Sequence, residues 1–156
     1  MKKQPKIKIE VTLHDKILEI IGWLLLFYLW YLAVSSHLSF PEKIPVHFDA
    51  FGNLGSYGNK NFIYLLPVIG TLLFTGMTLL NKVPHIFNYP VKITQENAET
   101  QYRLATRLLR YLKLTIVLSF LIIVFTTIKI VEDNSTILNK WLLPLILILI
   151  FLPVIQ

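Results

Sequence analysis

The chain has 156 residues, of which 54% are hydrophobic and only 15% charged, and its mean hydropathy is +0.61. Too few polar groups are present to clothe a water-soluble domain of this size, and the 13% of aromatics excludes a disordered chain. The absence of cysteine excludes a disulfide framework, a thiolate metal site and a cysteine nucleophile, and the length suits one domain over residues 1–156.

Four apolar stretches predict membrane-spanning helices, each measured against the roughly 20 residues needed to cross ~30 Å of hydrocarbon. The first covers residues 17–36, with Glu19 near its entry, where Lys16 at i−3 is the expected partner. The second, residues 61–80, carries no charge, and the third, residues 112–131, is bracketed by Lys113 and Lys129. The fourth, residues 141–156, is short for a full crossing. Pro67 and Pro144 are expected to kink their helices, because each removes a backbone donor. Gly70 and Gly76, with Thr71, Thr75 and Thr78, offer a small-residue surface for close helix packing. Trp23, Trp30, Tyr31, Tyr64 and Trp141 fall towards span ends, as interfacial aromatics do. The fold class expected is an all-α integral membrane protein, a four-helix bundle with a structured loop between its first two spans.

The net charge of +6 is topological. Eleven basic residues lie in segments 1–19 and 81–113, and four on the other side of the spans. The basic side is expected to be cytoplasmic, with both termini there, and nucleic acid need not be invoked. A cleaved signal ending at Ala33-Val34-Ser35 is the rival reading of the N-terminus; bulky Trp23, Phe27, Tyr28, Trp30 and Tyr31 argue against it.

Residues 37–60, which the count places outside, are the least bundle-like part of the chain. Pro41 and Pro45 forbid a regular helix and favour extended backbone before them. In an extended reading Val46 and Phe48 share one face, while His47 and Asp49 share the other. Turn residues follow at Gly52-Asn53, Gly55 and Gly58-Asn59. His47 and Asp49 can pin the turn, contact a ligand, form an acid–base pair, or ligate a metal with His37 as a third donor. The spacing leaves these open. Lys60 is read as a snorkelling anchor or as a charge partner for Asp49 or an acidic ligand.

The string from Phe40 to Lys60, FPEKIPVHFDAFGNLGSYGNK, resembles the SdpI-like family of small bacterial multi-pass membrane proteins. The family pattern falls on Pro41, Ile44, Pro45, His47, Phe48, Asp49, Gly52 and Lys60, with Phe40 where leucine is usual. A second likeness runs from Asn88 to Tyr102, so the resemblance covers roughly residues 25–130. It implies a bacterial plasma membrane and immunity to a secreted peptide toxin. It also makes Pro45, His47, Phe48, Asp49 and Lys60 the candidate ligand-binding set.

In the cytoplasmic loop, residues 81–111, Thr94 is a fair N-cap and a helix is expected from about residue 95 into the third span. Arg103, Arg107 and Arg110 recur along it, reading as a collar facing lipid phosphate or as a docking site for a cytoplasmic partner. Immunity or resistance through the outer loop, against an extracellular peptide toxin or lipid ligand, is therefore the leading expectation. A membrane metal protein or enzyme using His47 and Asp49 is one alternative, and a small transporter assembled as a homo-oligomer the other. The sequence names no cofactor.

Overall fold

The computed structural model describes residues 4–48, 54–133 and 139–151. Helix α1 runs Leu13–Ser39, longer at both ends than its apolar run. A capping box opens it: the Thr12 hydroxyl accepts from the Asp15 amide, and the Asp15 carboxylate accepts from the Thr12 amide. It stops at Phe40 because Pro41 disfavours helical backbone before it.

Two strands follow, β1 (Lys43–Phe48) and β2 (Leu54–Asn59), paired antiparallel with Lys43 opposite Asn59 and Phe48 opposite Leu54. The structured segment between the first two spans is thus a β-hairpin set on a mostly helical membrane protein. Pro45 is tolerated because the register slips between Pro45 and His47. Gly58 has to be glycine for space: a Cβ there would lie 2.9 Å from Val46 Cγ1 and 3.3 Å from Phe62 Cδ2.

A 3₁₀ stretch, Lys60–Tyr64, capped by the Asn59 side chain on the Asn61 amide, leads into α2 (Leu65–Leu80). Pro67 falls in the first turn of α2, where its missing N–H has no intrahelical partner to lose, so it starts the helix rather than kinking it. Reciprocal bonds between Thr94 and Asn97 precede α3 (Ala98–Asp133), whose 36 residues join the expected loop helix and the third span. α4 (Asn139–Phe151) contains Pro144 and lies against α3.

α1, the segment Lys60–Leu80 and α3 are each long and apolar enough to cross a membrane. Their exposed surface is lined with Leu24, Phe27, Tyr31, Leu65 and Leu72, which water would not tolerate and hydrocarbon does. The 13 described residues of α4 rise only about 20 Å, short of a crossing; part of the expected fourth span lies outside the described residues. The core is built from Leu26, Leu29 and Ala33 of α1, Phe74 of α2, and Val117 and Val124 of α3. It continues through Phe40, Ile44 and Ile63, which ties the hairpin onto the bundle.

Candidate functional site

Polar groups gather at the two ends of the bundle, and the ends differ. At the hairpin end, Ile44 is 1% exposed and turns into the core, whereas His47 is exposed. Gly55 lies under the His47 ring, with room for a Cβ only 3.0 Å from its Cδ2. Asp49 lies outside the described residues, so the expected pairing of His47 with Asp49 has no described geometry; of Phe48, only the backbone is described. Lys60 Nζ sits 3.1 Å from Glu42 Oε1, a local partner the sequence did not suggest. His37 Nε2 is 2.9 Å from Asn61 Oδ1 and its ring lies 5.0 Å from that of Tyr64. Among the described residues, no three His, Asp or Glu side chains are grouped to hold a metal. Under Pro45 and Val46 is an apolar cavity of about 170 Å³, walled by Phe62, Leu65, Ile123 and Thr127.

At the opposite end the charges are taken up inside the bundle. Asp15 and Glu19, four residues apart on α1, face Arg107, Arg110 and Lys113, spaced by threes on α3. Asp15 Oδ1 is 3.3 Å from Arg107 Nε and 3.7 Å from an Arg110 Nη. Arg110 Nε lies 3.3 Å from Glu19 Oε1, close enough for an ion pair but not aligned as a hydrogen bond. Lys113, only 1% exposed, donates to Glu19 Oε2 at 2.6 Å and to Thr78 Oγ1 at 2.7 Å. Its third side is covered by the Phe74 ring, with the centroid 4.3 Å from Nζ. Glu19 therefore bonds across to α3 rather than pairing with Lys16.

The three arginines of the expected collar part ways here. Arg103 pairs with Glu99 one turn back and is 38% exposed at its side chain, and Arg107 is 34% exposed. Arg110, at 9%, is enclosed by the two carboxylates of α1. Asp15 was not singled out by sequence reasoning, and Thr78 and Lys113 were read only as part of a small-residue surface and as the bracket of the third span. The signal was present: two acids at helical spacing near one end of an apolar run, and three bases at helical spacing at the matching end of another.

A glycine makes this close approach of α1 and α2 feasible. A Cβ on Gly22 would stand 2.6 Å from Phe74 Cε2, inside the ring that covers Lys113. Trp30 also turns inward, donating to Thr71 Oγ1 at 2.9 Å, while Gly70 packs on Leu26, Leu29 and Phe120. Gly76 meets nothing within 4 Å.

Comparison with known proteins adds a family model and one relative. Residues 23–71, from mid α1 through the hairpin into α2, match a model described as a domain of unknown function, DUF1648. An uncharacterized protein from Archaeoglobus fulgidus is 29% identical over 70 residues, covering 40% of this chain. The match spans 38% of that relative's own length. No solved structure matches. The segment matched by the family model holds the hairpin and its cavity roof, and stops before every base of the charged cluster.

Proposed function

We propose that this multi-pass membrane protein gives immunity or resistance against an extracellular antimicrobial peptide or toxin, which it meets through the hairpin. In this reading the protein sits in the bacterial plasma membrane with both termini cytoplasmic and the hairpin outside, as the uneven basic residues favour. One observation carries it: the hairpin end presents exposed His47, and Lys60 with its Glu42 partner, beside an apolar cavity, while the other end has its charges internally matched. An apolar recess with a few polar side chains near it is a common form of binding site. Pro45, Phe48, Asp49 and Lys60 complete the proposed contact set with His47. Arg103 and Arg107, each still partly exposed, remain the residues proposed for lipid phosphate or a cytoplasmic partner, and Arg110 is committed to α1.

Sensitive cells with and without the protein, challenged with peptides secreted by the host and its neighbours, test the reading. His47→Ala is expected to lower survival while membrane insertion and thermal stability stay unchanged, since His47 is exposed and insertion depends on the spans. Survival equal to that of the unaltered protein would overturn the hairpin as the contact. One zinc or other divalent ion per purified chain, lost in both His47→Ala and Asp49→Ala, would replace binding with the metal-site alternative.

A further inference from the structure

We infer that the cavity beneath β1 holds an acyl chain of a phospholipid, entering sideways from the leaflet on the hairpin side. The cavity is roofed by Pro45 and Val46, walled by Phe62 and Leu65, and floored by Ile123 and Thr127. The Thr127 hydroxyl already donates to the Ile123 carbonyl at 3.0 Å, so it makes no call on a water. An apolar cavity of about 150 Å³ stays dry and accepts a benzene-sized group, so about 170 Å³ suits a short stretch of hydrocarbon and not solvent.

The direction of entry follows from the wall. Phe62 and Leu65 are 54% and 50% exposed, and their helical spacing continues along α2 through Ile69 and Leu72, also exposed. This is the stripe that α2 turns to the bilayer. The wall of the cavity is therefore the first turn of a lipid-facing surface, and the opening beside it faces hydrocarbon. Ile44, 1% exposed, and Ile63, 4% exposed, close the cavity towards the bundle axis. The ligand is thus drawn from the lipid phase, and the hairpin is a lid over a lipid-chain site. This inference rests on the membrane placement of the helices and not on the immunity reading.

The full chain, reconstituted in nanodiscs containing a phospholipid with a diazirine midway along one acyl chain, is irradiated and its adducts mapped by peptide mass spectrometry. Adducts are expected on the peptides bearing Phe62–Leu66 and Ile123–Thr127. They should fall at least fivefold relative to adducts on the Leu24–Phe27 segment when Ile123→Trp fills the floor. Val46→Phe, which fills from the roof, gives a second route if the first variant does not fold. Equal labelling in the unaltered protein and the folded variants, or labelling confined to the exposed face of α1, would overturn the site. So would cavity labelling by the same chain supplied as free fatty acid but not as phospholipid. Because the readout is an adduct map, its failure leaves the survival test of His47→Ala standing.

Discussion

The two ends of this bundle handle polar groups in opposite ways. At one end, two acids of α1 face three bases of α3, with Asp15, Arg110 and Lys113 buried, and Lys113 has a carboxylate, a hydroxyl and an aromatic face around it. At the other, His47 lies exposed on a hairpin above a cavity. Buried charges at helix interfaces are costly unless matched, so the first end is organised around satisfying them. The hairpin end buries aliphatic side chains instead, Ile44 and Ile63, and can leave its polar residues at the surface. Charge density therefore marks how the molecule is held together, and the hairpin end is the one proposed to meet something else.

The largest way to break this contrast is Glu19→Ala, which removes the carboxylate from Lys113 and Arg110 together. A loss of about 3 kcal/mol or more is expected, because the buried ammonium is left without its counter-charge. Thermal unfolding in mild detergent measures it. Replacing both partners, Glu19→Leu with Lys113→Met, should restore most of the loss. A Glu19→Ala protein as stable as the unaltered one would mean that the cluster does not hold α1 to α3.

Gly22→Ala attacks the same end through packing. Its methyl would drive into the Phe74 ring, an overpacking cost of about 1–3 kcal/mol by the same unfolding assay. Gly58→Ala is the matching test at the hairpin end. The new methyl meets Val46 and Phe62, so a smaller destabilisation of about 1 kcal/mol is expected. Amide exchange should quicken in Ile44–Val46 and stay unchanged at Lys113. Faster exchange at both ends would show that the two regions are coupled rather than separate.

The smallest effect concerns Tyr89, in the loop before α3. Burial first, and the neighbouring Tyr102 second, push its phenol up to about 12, and its hydroxyl donates to the Pro84 carbonyl at 3.0 Å. A raised folded-state value means the neutral form is favoured in the fold. This contribution is complete below pH 10 and is lost as pH rises through about 12. Phenolate absorbance followed across that window should lose amplitude at its alkaline end in Tyr89→Phe; an unchanged curve would count against the burial of this ring.

Much of the frame was readable because it is local. The apolar runs that predicted the first three spans became α1, the segment Lys60–Leu80 and α3, since a run of this length in hydrocarbon has little choice but to be helical. The break around Pro41 and Pro45 was readable too, but not its form. Strand pairing depends on register between Lys43–Phe48 and Leu54–Asn59, which no single residue announces. Pro67 misled for a related reason: its effect depends on whether it falls in the first turn or the interior of α2, and that boundary was set by the 3₁₀ stretch before it.

By itself, the sequence determined the solvent. Its hydrophobic content, its scarcity of charge and the lengths of its apolar runs fixed a helical protein of the bilayer, because transfer of a long apolar segment depends on composition and not on partners. Which charges meet was decided only by the tertiary structure. Glu19 and Lys113 are 94 residues apart, and Asp15 and Arg107 are 92. Their pairing depends on the rotation and height at which α1 and α3 pack, with Gly22 allowing Phe74 to close over the result. The cavity under the hairpin has the same origin: it is space left between β1, α2 and α3, and an unfilled volume belongs to no residue in the chain.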